Sequence, residues 1–102
     1  MVEPITLTDF IEYSKGSVVS KTLKQNPAGT ITLFAFDAGQ GLSEHSAPFD
    51  AVVQVIEGDG FFKIGSEEHN LKAGQMIIMP ANVPHAVRGE RKFKMLLTML
   101  RS

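Results

Sequence analysis

The chain has 102 residues, a net charge of -1 and no cysteine. That length suits one domain, and the interleaved charges leave no basic stripe for a nucleic-acid partner. The missing thiols exclude disulfides, Cys-ligated zinc, iron–sulfur clusters and thiol catalysis, so any metal must be held by His, carboxylate, amide or water.

The first segment, "MVEPITLTDF", carries Glu3 and Asp9 and has no basic start followed by an apolar run, so it does not read as a secretory signal. The longest apolar runs, "MIIMPA" and "MLLTML", are too short to span a bilayer. A cytoplasmic location with no membrane partner is the expectation. Thr6 and Asp9 have capping-box spacing and Ile5 and Phe10 fit a hydrophobic staple, which predicts a short helix over about residues 7–13, ended by "SKG". An irregular N-terminal arm is the alternative.

After Gly16 the pattern is strands and turns. "TITLFAFD" (Thr30 to Asp37) and "AVVQVIE" (Ala51 to Glu57) are rich in β-branched and aromatic residues. "GDG" supplies an Asp-Gly turn, with "FFKI" as its expected return strand. "GSEE" turns before "HNL", "QMIIM" stops at Pro80, and "HAVRG" and "RKFKMLLTML" close the chain. No segment between strands is long and periodic enough for a crossover helix. The prediction is therefore an all-β sandwich or small barrel.

Two segments carry recognisable spacing. Gly39 is followed by five residues and His45; Ala51 is followed by six and Gly58. Gly74 is followed by five residues and Pro80, then Asn82 and His85. This frame resembles the two motifs of the cupin superfamily, in which the first carries His-x-His and a Glu, and the second a Gly and a His. Here Ala47 stands at the second His position, Ala51 at the Glu position, Asn82 at the Gly position and Gly89 at the closing Asn position. Asn tolerates a left-handed or turn backbone nearly as Gly does.

The resemblance implies a single cupin domain over residues 1–102, with 1–16 as an arm or short helix and 17–102 as a double-stranded β-helix, or jelly-roll, barrel. It implies a homodimer, in line with apolar residues on both faces of Ala51 to Glu57. It also implies His45 and His85 as the remaining ligands of a divalent metal ion. The cavity wall is expected to include Phe34, Phe36, Ala47, Ala51, Val53, Val55, Met76, Ile78, Met95, Leu97 and Met99, for each of which plain core packing is the alternative.

Strand alternation alone puts His45 and Ala47 on one face, leaving one imidazole where a His-x-His pair would chelate. By the same parity Glu44 and Gln54 point away from His45. His69 sits in the polar run "GSEEHNL" and reads as an exposed turn residue. Catalytic residues are not assigned. Three readings stand side by side: a barrel that binds a small-molecule ligand around two histidines, a metal-dependent oxygenase or isomerase, and a ligand sensor without turnover. Five methionines suit an adaptable apolar pocket.

Overall fold

The computed structural model describes residues 2–101. Its strands are β1 (Val18–Asn26), β2 (Gly29–Phe36), β3 (Gly41–His45), β4 (Asp50–Glu57), β5 (Asp59–Ile64), β6 (Glu67–Lys72), β7 (Met76–Met79), β8 (His85–Arg88) and β9 (Phe93–Leu100). They form a five-stranded sheet in the order β1-β2-β9-β4-β7 and a four-stranded sheet in the order β3-β8-β5-β6. Every pairing is antiparallel. After the β1–β2 hairpin the chain passes back and forth between the sheets, which is the double-stranded β-helix arrangement.

The "GDG" segment is one of these passages. Gly58 has φ 73 and lies where an added Cβ would stand 2.4 Å from the Lys92 carbonyl oxygen. β5 does not return along β4. It pairs with β6 and β8 in the other sheet. The expected hairpin is thus a bend between sheets, because the left-handed Gly58 turns the strand without reversing it.

The core lies between the sheets. Phe36, Val53, Val55, Phe62, Phe93 and Met95 are essentially fully buried there. Each such side chain contributes on the order of 1.5–3 kcal/mol relative to exposure. The rings of Phe36 and Phe93 stack with centroids 4.4 Å apart, and Phe62 meets Phe93 edge-on at 6.1 Å.

The outer face of the five-stranded sheet is partly covered too. Leu33 and Ala35 are buried there under Ile11, with Leu7, Tyr13, Ile56 and Leu96 packed around them. The cover is an extended arm, and the helix expected over residues 7–13 is only a single 3-10 turn at Leu7–Asp9. The Thr6 side chain makes no capping bond, and Ile5 and Phe10 stay exposed. An extended arm lays Ile11 and Tyr13 on the sheet while its polar groups find partners there. Lys94 Nζ donates to the Thr8 carbonyl at 2.6 Å, and the Tyr13 hydroxyl donates to Glu57 at 2.5 Å. Among the described residues no helix is long and apolar enough to cross a membrane.

Candidate functional site

β3 and β8 pair so that His45 lies directly opposite His85. The loop leading to His85 is fixed from both sides. Asn82 takes φ 66, the left-handed conformation that its motif position requires. Its backbone N–H donates to the Ala47 carbonyl at 2.7 Å, and the Ala81 N–H donates to Asp50 Oδ1 at 2.8 Å. These bonds tie the segment after His45 to the segment before His85.

The two rings meet edge to face, with centroids 4.4 Å apart and Nε2 to Nε2 at 3.1 Å. His45 Nδ1 stands 2.9 Å from the Ser43 carbonyl, and His85 Nδ1 stands 3.2 Å from the Val83 carbonyl. A carbonyl can only accept, so each Nδ1 carries the ring proton and donates it. Both Nε2 atoms then present lone pairs to one another. Two neutral imidazoles bring two protons to three contacts, so the cluster is one positive centre short. A proton, a ligand's donor group or a metal ion satisfies the third contact.

His85 is 6% exposed, whereas His45 lies at the mouth and is exposed. Burial holds the His85 imidazole below the ordinary histidine value. Its bond to the Val83 carbonyl opposes that shift, and the neighbouring His45 adds to it. His85 is therefore biased towards the neutral, lone-pair-presenting form.

Behind the histidines is a cavity of about 100 Å³ lined by Leu42, His45, Ala47, Phe49, Ala51, Met79, His85, Val87, Met95, Leu97 and Met99. Of the residues expected there, Ala47, Ala51, Met95, Leu97 and Met99 reach it. Phe36, Val53 and Val55 are instead packed in the core, with Phe34 half-buried beside them. Met76 and Ile78 were expected inside and are not: they are 56% and 53% exposed on the outer face. Register explains the difference. Ala51 pairs with Met79 and Val53 with Ile77, and directly paired antiparallel residues share a face. The inward residues of β7 are thus Ile77 and Met79.

Leu42, Phe49, Met79 and Val87 were missed. Alternation from His85 finds Val87. Leu42 is concealed by an irregularity in β3 between Leu42 and His45, which turns both inward although their spacing is odd. Phe49 lies in a loop and Met79 beside Pro80, where sequence offers no parity signal.

His69 is on β6, with Nε2 3.6 Å from Glu67, and does not line the cavity. No carboxylate lines it either, and no cluster of three or more His, Cys, Asp or Glu suited to a metal occurs among the described residues. A hard or borderline divalent ion of the kind cupins commonly hold does not fit this donor set. Two neutral imidazoles leave both of its charges uncompensated in an apolar pocket.

Comparison with known proteins agrees with the geometry. A family model described as a cupin domain matches residues 32–99. A conserved protein of unknown function from Streptococcus pyogenes superposes with TM-score 0.94 at 33% identity, over 100% of this chain and 90% of that one. A cupin superfamily protein from Desulfitobacterium hafniense gives TM-score 0.94 at 27% identity, over 100% and 94%. A cupin 2 conserved barrel domain protein from Leptotrichia buccalis gives 0.92 at 37% identity, over 95% of this chain and 47% of that one. A comparison with curated proteins gives no match. Since the matched segment runs from β2 to β9 and takes in both histidine motifs, the chain belongs to the cupin superfamily.

Proposed function

We propose that this cupin binds a small, mainly apolar molecule carrying one acidic or hydroxyl hydrogen, such as a short carboxylic acid or a phenol. The observation that carries the reading is the pair of Nε2 atoms 3.1 Å apart, with both Nδ1 atoms engaged by carbonyls. Two converging lone pairs invite a donor, and a shared acidic proton would leave the ligand anion against an imidazolium. The rest of the wall offers Leu, Val, Ala, Phe and Met, which favours an apolar body. A cavity of ~150 Å³ holds benzene, so a space of about 100 Å³ suits a short carboxylic acid as it stands, and a phenol only where methionine side chains give way around it. Exposed His45 marks the entrance.

Native mass spectrometry of protein purified without a chelating tag, followed by calorimetric titration with short carboxylic acids and phenols, tests this. Binding that disappears in both His45→Ala and His85→Ala supports the proposal. Equal binding by wild type and both variants, or no binding at all, overturns it.

We also propose that the protein is a homodimer. The uncovered outer face at β7, with Met76 and Ile78 exposed, supports this.

A further inference from the structure

We infer that Arg101, stacked on Phe49 at the rim of the histidine cavity, binds a carboxylate, and that the ligand is a short hydroxy acid whose hydroxyl donates to the histidine pair. The inference rests on the histidine reading proposed above and narrows it to one class of ligand.

Register brings Arg101 to the cavity. β4 and β9 pair Asp50 with Leu100 and Ala51 with Met99. One step further sets Phe49 opposite Arg101, on the face that Ala51 and Met99 turn into the cavity. Two contacts bear this out. The Arg101 N–H donates to the Ala28 carbonyl at 2.8 Å, which carries the line of β9 past Leu100. The Arg101 guanidinium carbon lies 5.5 Å from the centroid of the Phe49 ring, and Phe49 lines the cavity.

The charge at this rim suits an anion. Met95, Leu97 and Met99 precede Arg101 on the cavity face of β9, so Arg101 is the first charge met there. No carboxylate lines the cavity. Asp50 lies on the opposite face beside Leu100, and its Oδ1 is taken by the Ala81 N–H at 2.8 Å. Arg101 is exposed and forms no ion pair among the described residues. A guanidinium stacked on a ring keeps its in-plane N–H edges free, and these grip a carboxylate through two parallel bonds.

The two polar ends ask for different groups. At neutral pH a carboxylate only accepts hydrogen bonds, so it matches Arg101 and not a pair of imidazole lone pairs. A hydroxyl donates, and so matches the two Nε2 atoms. The wall between them is Met, Leu, Ala, Val and Phe around about 100 Å³, which suits a link of a few carbons.

The test is calorimetric titration of the full chain with hydroxybutyrates carrying the hydroxyl at successive carbons, and with the methyl ester of each. Wild type should bind at least one of these acids, at least tenfold more tightly than its ester. Arg101→Gln should bring the affinity for that acid down towards that of the ester. Circular dichroism checks that this change at an exposed residue leaves the fold intact. Failure of wild type to bind any of the acids, equal binding of acid and ester, or a preference that survives in Arg101→Gln would each overturn the inference. The acid-to-ester ratio of wild type decides the matter even if the variant does not fold. Phenols that bind through the histidines, with no preference for acid over ester, would remove this inference and leave the histidine reading. A hydroxy acid held equally by wild type, His45→Ala and His85→Ala would remove both.

Discussion

Phe93 shows how single residues shape the barrel. Its ring lies over two glycines, so that a Cβ added at Gly60 or at Gly89 would come within 2.7 Å of ring carbons. Gly89 stands where the cupin motif has Asn, and the ring occupies the space that Asn would need. Gly60→Ala should therefore lower stability by about 1–3 kcal/mol, read by urea denaturation. A double-mutant cycle with Phe93→Leu should show coupling between the two sites; additive effects would mean that the ring is not the obstacle. Asn82 was legible from its motif slot, and its φ of 66 shows why that slot tolerates Asn. Ala47 and Ala51 were legible as missing ligands and Met99 as part of the wall, but Met79 was not. Met79 reaches the cavity through a β7 register that no local pattern records. Restoring the lost donors with Ala47→His and Ala51→Glu should raise affinity for manganese(II) or nickel(II) by orders of magnitude. Metal should then raise Tm by binding only the folded form. Overpacking at nearly buried Ala51 opposes this by about 1–3 kcal/mol. A folded double variant that holds manganese or nickel no better than wild type in calorimetric titration would show that the pocket has lost the family geometry.

At the scale of elements, the strands were readable, whereas the arm was only one of two readings beside a short helix. β2, β4 and β9 announce themselves by dense β-branched and apolar residues. The arm carries helix-start signals that go unused, because its partners lie in strands far along the chain. Lys94 is the clearest of these. It sits on the outer face of β9, opposite Ala35 and near Glu57, only 7% exposed, and donates to Thr8. Lys94→Met keeps the stem but leaves the Thr8 carbonyl and Glu57 without their cation, at about 1–3 kcal/mol. Hydrogen exchange should then quicken over residues 7–13 before the barrel strands change. Uniform loosening of the whole barrel would refute this role for Lys94. A further tether of the arm is the Gly16 N–H donating to Asp37 at 2.6 Å. That bond and one from Ala38, opposed by desolvation and aided by nearby Lys92 and Lys15, hold the Asp37 carboxyl below its usual value. A depressed carboxylate stabilises the fold above the unfolded pKa of about 4, and the contribution is lost as pH falls through the folded value. The Tm difference between wild type and Asp37→Asn should therefore be largest near neutrality and shrink towards pH 3. A difference that stays constant with pH would rule out the tether as an ionic one.

For the whole molecule, both faces of β4 carry apolar residues, with Asp50 and Gln54 exposed on the outer one, and the arm accounts for only part of that face. It covers Ile56 and Leu96 but leaves Met76, Ile78 and Leu100 about half exposed or more, beside half-buried Val52. β7 is also the edge of its sheet, and from Ala73 to Pro84 the chain carries no charged residue. Edge strands of proteins that stay single are usually guarded by charge, bulges or cover. Within β7 none of these protects the face bearing Met76 and Ile78. A second copy is the partner that such a surface fits. In the proposed dimer a two-fold axis beside β7 would set the same uncharged strand against itself and bring each Ile78 towards its equivalent. A stable interface needs on the order of 800 Å² from each partner, more than β7 alone provides, so the contact must extend over Val52, Thr98 and Leu100. Ile78→Lys, or Met76→Lys with Ile78→Lys, places positive charge at the centre of that contact without touching the cavity. Light scattering coupled to size exclusion should give a dimer for wild type and a monomer for the double variant, with circular dichroism unchanged. A wild type that runs as a monomer at the highest concentration it tolerates, or a double variant that stays dimeric, would show that this face is not where two copies meet.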